Sequence, residues 1–342
     1  MPVVSIVIPT YNCSHTIKRC LDSLLNQTYD DFEIIIADDG STDSTLDICK
    51  SIAAEHGNIS IYELSHRGVS DTRNFALKRS RSEYVMFVDG DDYVRETYVE
   101  HMLKGMETDP DCDMCICGYT RVVYGDIYPL KSLQKSGVIT RDQYLSATMS
   151  DPGHHYFGVL WNKIFRRCII ENNNIWFDEH ISLGEDFVFS LNYLKYIKKV
   201  NVLSERLYYY CYQTRDSLSR IESQSLASCR AEMANRNLIF DTYVYVMKET
   251  GLYSSAEKKI YHYWITFYIR QKYSLSVEYK WDEKDKEEWD SEIKKNESIE
   301  QALLIHGKIR VALEMADYFV TQSFKNLVKD LIKFFRGGSK GE

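Results

Sequence analysis

Through residues 1 to 92, short apolar runs alternate with stretches whose apolar positions recur at helical spacing. Residues 3–9 form the first run, which ends in Thr10-Tyr11-Asn12. Ser14 then stands where a helix cap belongs, ahead of Ile17, Leu21, Leu24 and Leu25 at i, i+4, i+7 and i+8. A second run, 33–37, ends in Asp38-Asp39-Gly40-Ser41. Leu46, Cys49, Ile52 and Ala53 mark the apolar side of the helix after it, with Gly57 just past its end. The third run is 59–64, and Gly68 and Ser70 lead into a helix carrying Arg73 and Asn74. Residues 84–88 make a fourth run with no polar face, as a strand buried on both sides requires. Strands alternating with helices of this length predict an α/β fold, a mostly parallel sheet flanked by helices.

Such sheets bind ligands beyond the carboxyl ends of their strands. Thr10-Tyr11-Asn12, Asp38-Asp39, and Asp89 with Asp91 all fall on that edge. Asp89, Asp91 and Asp92 crowd the end of the fourth run, where close carboxylates repel one another. A hard divalent cation, Mn²⁺ or Mg²⁺, would relieve that repulsion, since carboxylate oxygens are its preferred ligands. A solvated acidic turn is the alternative for this pattern taken alone. An EF-hand is excluded, because Tyr93 and Val94 occupy positions where its loop needs a ligand and a glycine. Neither G-x-G-x-x-G nor G-x-x-x-x-G-K-[ST] is present, so a dinucleotide fold and a P-loop both lack their phosphate cradle.

The 342 residues carry a formal net charge of −8, which argues against a general nucleic-acid surface, and 44% are hydrophobic, enough for a large core. The 9 cysteines and an N-terminus without the basic and apolar regions of a secretory signal lead us to expect a cytoplasmic chain with free thiols. Cys112, Cys115 and Cys117 read as part of a strand rather than as zinc ligands, because no second Cys/His pair follows at ligand spacing. No apolar run approaches the ~20 residues of a membrane-spanning helix.

In order along the chain stand Pro9-Thr10-Tyr11-Asn12, Asp38-Asp39-Gly40-Ser41, Gly68-Val69-Ser70 with Thr72-Arg73-Asn74, and Asp89-Gly90-Asp91-Asp92. This set resembles the inverting family 2 glycosyltransferases of bacterial surface polysaccharides and glycoconjugates, closely over about the first 120 residues. Trp161-Asn162-Lys163 and Gly184-Glu185-Asp186 are similar to the acceptor half of that family and extend the likeness to about residue 220. The resemblance implies a GT-A fold over residues 1–220, with 1–120 binding the nucleotide-sugar and 121–220 forming the acceptor side. It implies transfer of a sugar from a UDP-sugar to a hydroxyl of a glycan acceptor, lipid-linked or protein-linked.

Carried over residue by residue, the family pattern has Pro9, Thr10 and Tyr11 hold the uracil, with Asp39 on its imide nitrogen. Arg73 would lie beside the base and diphosphate, Asp89 would contact the ribose, Asp91 would coordinate the metal, and Asp186 would be the general base. A carboxylate that accepts from an imide N–H selects uracil over cytosine, which has no proton there. An inverting displacement needs a base on the face opposite the leaving group. The plainer alternatives are that Tyr11 packs on a neighbouring helix, Asp39 caps the helix after it, and Asp186 caps the next helix, with Glu185 as the other candidate base. His154 and His155 read as loop histidines. Relatives of this type often carry arginine or histidine after the triple tyrosine, whereas Cys211 follows Tyr208-Tyr209-Tyr210 here. That leaves one contact to the metal or diphosphate unassigned, with Arg215 and Arg220 nearby.

From about residue 221 helical periodicity dominates, over 227–247, 256–273 and 299–319. Tyr261, Tyr263, Trp264, Phe267, Tyr268 and Tyr273 form an aromatic stripe that predicts core packing, and 280–295 reads as a solvated linker or helix face. Region 221–342 is thus a helical appendage. In 323–335, Phe324, Leu327, Val328, Leu331 and Phe335 line one side, with Lys325, Lys329, Lys333 and Arg336 off it. This basic amphipathic segment fits peripheral contact with an anionic membrane, packing on its own domain, or a homo-oligomer contact. Two other classes of function fit less well. Nucleotidyl transfer to a sugar phosphate needs a basic phosphate-gripping loop where Tyr11-Asn12-Cys13 stands, and a non-catalytic partner subunit needs none of the acidic residues present here.

Overall fold

The computed structural model describes residues 1–123, 126–129, 136–148, 155–181, 184–212, 225–278, 281–308 and 310–322. The chain forms two compact units, Met1–Ile221 with Leu238–Leu252, and Glu222–Asn237 with Tyr253–Glu342.

The first unit runs β1 (Val4–Thr10), α1 (Ile17–Leu25), β2 (Phe32–Asp38), α2 (Thr45–Ala53), β3 (Ile59–Glu63), α3 (Val69–Leu77) and β4 (Tyr84–Phe87). It continues through β5 (Tyr93–Val94), α4 (Tyr98–Glu107), β6 (Cys112–Val123), β7 (Asp126–Pro129), β8 (Gly137–Thr140), α5 (Arg141–Thr148) and α6 (His155–Gly158). Then come β9 (Lys163–Arg166), α7 (Arg167–Asn172), α8 (Glu185–Leu194) and β10 (Lys199–Tyr212). The described strands join one sheet in the order β3-β2-β1-β4-β9-β6-β10-β5, with β7 on β6 and β8 on β10.

The four strands expected from the opening pattern are all present, and β1, β2, β3 and β4 are parallel. Ile6 of β1 lies between Ile34 of β2 and Met86 of β4, and all three side chains are buried. Thr10 pairs with Asp38, and Val88 donates its N–H to Val7, so both polar strand ends and the acidic turn reach one edge. Beyond β4 the sheet is mixed, because β9 enters antiparallel between β4 and β6. The thiols of Cys112, Cys115 and Cys117 are buried along β6, and all nine cysteines are free. Ser14 does not cap α1, whose N-cap is Thr16; its own N–H donates to Asp43 instead.

In the second unit, the early part of α9 (Leu226–Glu249) joins α10 (Tyr253–Tyr273), one π-helical turn (Ser274–Glu278), α11 (Glu283–Lys295) and α12 (Glu297–His306). The aromatic stripe of α10 is core, with Trp264, Phe267 and Tyr273 buried. The mixed-charge stretch is more than a solvated face. Asp282 caps α11 by accepting the Asp285 N–H, and α11 buries Trp289, whose indole donates to Gln271 at 3.1 Å. The periodicity expected to run unbroken over 299–319 is interrupted at Gly307, whose φ of +80° ends α12. No described helix is long and apolar enough to cross a membrane. The basic segment from residue 323 lies outside the described residues, as do His154, Arg215 and Arg220.

Candidate active site

The loop after β1 is braced before it can bind anything. Thr10 is buried and its hydroxyl donates to Asp38 at 3.0 Å. Asp38 also accepts the N–H and hydroxyl of Ser41, at 2.9 and 2.6 Å. Tyr11 projects from this brace with 47% of its surface exposed. Its ring stacks on His66, with centroids 4.4 Å apart. Asp39, buried beside them, neither caps α2 nor stands free. Its two oxygens accept the backbone N–H groups of Arg67, at 2.7 Å, and Gly68, at 3.0 Å, and thereby clamp the loop that enters α3. Gly68 itself sits at φ +93°, a conformation glycine adopts without penalty. Pro9, one residue before the end of β1, lies in register with Ala37, just inside this corner. His66 carries no sequence signal, since a lone loop histidine acquires meaning only when the fold stacks it on Tyr11.

The acidic turn divides its three carboxylates between two tasks. Asp92 is fully buried and accepts from Tyr208 Oη at 2.7 Å and from the Cys211 N–H at 2.6 Å, so it ties the turn to β10. Asp89 and Asp91 are left for the crevice. The Asp91 side chain reaches solvent, yet enough protein surrounds it that desolvation, with the Asp89 charge nearby, pushes its carboxyl up to about 6. Among the described residues no three His, Cys, Asp or Glu side chains converge as metal ligands. The pair nevertheless suits Mg²⁺ or Mn²⁺, which often take one or two carboxylates and complete their shell with substrate phosphates and water.

Arg73 is the hub of the site. Its buried guanidinium donates to Glu185 Oε1 at 2.8 Å, Asp186 Oδ1 at 2.7 Å and Asp89 Oδ1 at 3.2 Å. Residues 73, 89 and 185–186, far apart in sequence, meet on one cation. Arg73 thus stands among carboxylates, one of them Asp89, the residue the resemblance puts at the ribose. One guanidinium faces three carboxylates here. Burial, opposed by Arg73 and helped by the neighbouring Glu185 and Asp89 charges, pushes the Asp186 carboxyl well above the usual carboxylate range. Gly184, at φ +92°, turns the chain into α8 and delivers both acids in its first turn, and no side chain caps that helix end.

The acceptor-side motif is internal. Asn162 and Lys163 are fully buried, and both bond the carbonyl of Tyr156, at 2.9 and 3.4 Å. The Lys163 ammonium also reaches the Val159 carbonyl and Asn162 Oδ1. Burial pushes it down to about 7. Opposite the acidic turn, Arg19 of α1 donates to the Asp91 carbonyl at 2.7 Å and to Cys211 Sγ at 3.2 Å.

A parallel half-sheet whose strand ends carry an exposed aromatic pair and a carboxylate-lined crevice, extended by a mixed half-sheet and by α8 with a second acidic pair, is the GT-A class of fold. Residues 5–172, just under half of the chain, match Glycosyl transferase family 2. The uncharacterized glycosyltransferase EpsJ of Bacillus subtilis is 32% identical over 61% of this chain and 61% of its own length. The poly(ribitol-phosphate) beta-glucosyltransferase of Bacillus spizizenii is 36% identical over 60% of this chain and 32% of its own. Thus less than two thirds of these relatives is spanned. Among solved structures, residues 1–349 of Staphylococcus aureus TarS with UDP-GlcNAc superpose with a TM-score of 0.68, covering 94% of this chain and 91% of that one at 20% identity.

Proposed function

We propose that the protein is a metal-dependent, inverting glycosyltransferase that moves a sugar from a UDP-sugar to a hydroxyl of a lipid-linked glycan in surface polysaccharide synthesis. The Arg73 bridge carries this reading, because it joins a carboxylate at the donor strand end to the two acids of α8. Uracil would lie against Tyr11 and His66. Asp39 Oδ2 accepts the Gly68 amide and lies 3.3 Å from His66 Nδ1, while Oδ1 accepts only the Arg67 amide among the described residues and keeps a second lone pair for the imide N–H. Asp91 would hold Mn²⁺ or Mg²⁺ together with the donor phosphates, with Asp89 beside it at the ribose. Such an ion would stabilise the charge developing on the departing diphosphate.

Asp186 is the group assigned to take the acceptor hydroxyl's proton. Its burial raises its proton affinity, as a base working near neutral pH requires, and Arg73 holds it in one orientation. The relatives narrow the first substrates to try. UDP-GlcNAc is bound by the TarS neighbour, and poly(ribitol phosphate) is the acceptor in the name of one relative. The test is UDP release from a panel of UDP-sugars, with Mn²⁺ or with EDTA, with poly(ribitol phosphate), lipid-linked glycan or glycosylated protein as acceptor. Acceptor-stimulated, Mn²⁺-dependent release is the expected result. Release from no UDP-sugar under any of these conditions would overturn the reading.

A further inference from the structure

We propose that Arg19 contacts the donor diphosphate, supplying from α1 the cation that Cys211 does not provide from β10; the proposal rests on the nucleotide-sugar reading above. A diphosphate beside Asp89 and Asp91 needs positive charge besides any metal. Arg73 is already bound to three carboxylates. Arg19 is differently placed. One nitrogen, Nη2, anchors it to the carbonyl of Asp91 at 2.7 Å and to the sulfur of Cys211 at 3.2 Å. Its guanidinium carbon lies 4.8 Å from the centroid of the Tyr93 ring, which is itself stacked on Tyr209 at 4.5 Å. Among the described residues only Nη2 of Arg19 makes a hydrogen bond, and the side chain is exposed. The cation is thus held in place while keeping donors for a ligand. A guanidinium with spare N–H groups matches a phosphate in geometry and charge.

The position of the anchor gives the arrangement its direction. Asp91 is the residue assigned to the metal, and Cys211 follows the triple tyrosine of β10 without bringing a cation of its own. Arg19 bonds both at once. The plainer account is that Arg19 only pins α1 to the acidic turn.

Calorimetric binding of UDP, UMP and uridine, with Mn²⁺ and with EDTA, separates these accounts. For Arg19→Gln, UDP affinity should fall about 10- to 100-fold, as expected for loss of a charge-assisted contact, while UMP and uridine change less than about threefold. The preference of wild type for UDP over UMP that survives in EDTA should vanish in Arg19→Gln and be partly retained in Arg19→Lys. Equal weakening of UDP and UMP, with a lowered melting temperature, would make Arg19 a structural pin and overturn the proposal. Unchanged UDP binding would overturn it as well. A wild type that binds no uridine nucleotide would overturn the functional reading together with it.

Discussion

Asp186 and Lys163 show how burial changes what a single side chain can do. Asp186 lies 2.7 Å from Arg73, so Asp186→Asn keeps the size and one hydrogen bond to the guanidinium while losing the ability to take a proton. Turnover should fall about 10²- to 10⁴-fold, the usual worth of a positioned general base, with UDP-sugar affinity nearly unchanged. Steady-state kinetics set beside calorimetric donor affinity checks this, and undiminished transfer would move the role to Glu185. Lys163 makes a prediction in pH. Its ammonium is pushed down to about 7 by burial, while in the unfolded chain it titrates near the ordinary lysine value of 10.5. Between those values the unfolded chain holds the extra proton, so stability rises with pH across that window, and the penalty of burying the charge is complete below pH 7. Lys163→Met should flatten that rise, an effect on the order of a few kcal/mol at most. Urea unfolding from pH 6.5 to 10 measures it, and parallel curves for mutant and wild type would show that Lys163 keeps its proton throughout.

The elements that matter most are those that end at the crevice, and α8 depends on one glycine. Gly184 sits at φ +92°, and a Cβ there would stand 2.4 Å from the Ile239 side chain of α9. Gly184→Ala therefore combines backbone strain with a clash and should destabilise the protein by about 1–3 kcal/mol. Because the residue after it begins the helix that carries Glu185 and Asp186, kcat should fall more than donor affinity. Thermal melts and single-turnover kinetics distinguish this from simple loss of stability. Helix capping followed the sequence unevenly. Asp282 and Asn296 cap α11 and α12 through their side chains, whereas Ser14 does not cap α1, because the helix begins only at Ile17, with Thr16 at the N-cap position.

At the scale of the whole molecule, the basic amphipathic segment that begins at residue 323 follows a helical unit, and its partner is open. If it docks on an anionic membrane, deleting 326–342 should weaken binding to phosphatidylglycerol vesicles without altering transfer to a soluble acceptor. Vesicle sedimentation and light scattering of the full chain and the truncation test this together. Dissociation of a dimer, with vesicle binding unchanged, would assign the segment to self-association instead.

The sequence alone determined the first four strands, the helices between them and the polar ends of those strands, because apolar runs of strand length and helical periodicity are local properties. It also determined which ordered motifs are present, and so the resemblance they carry. Only the tertiary structure decided how the carboxylates are shared out. Asp92 goes to Tyr208 and Cys211, Asp89 with Glu185 and Asp186 goes to Arg73, and Asp91 is left facing the solvent. Those partners lie between 16 and 119 positions away along the chain, a separation that no window of local pattern spans. The same holds for the His66 ring on Tyr11 and for Arg19 on Cys211, which are contacts made by packing rather than by spacing.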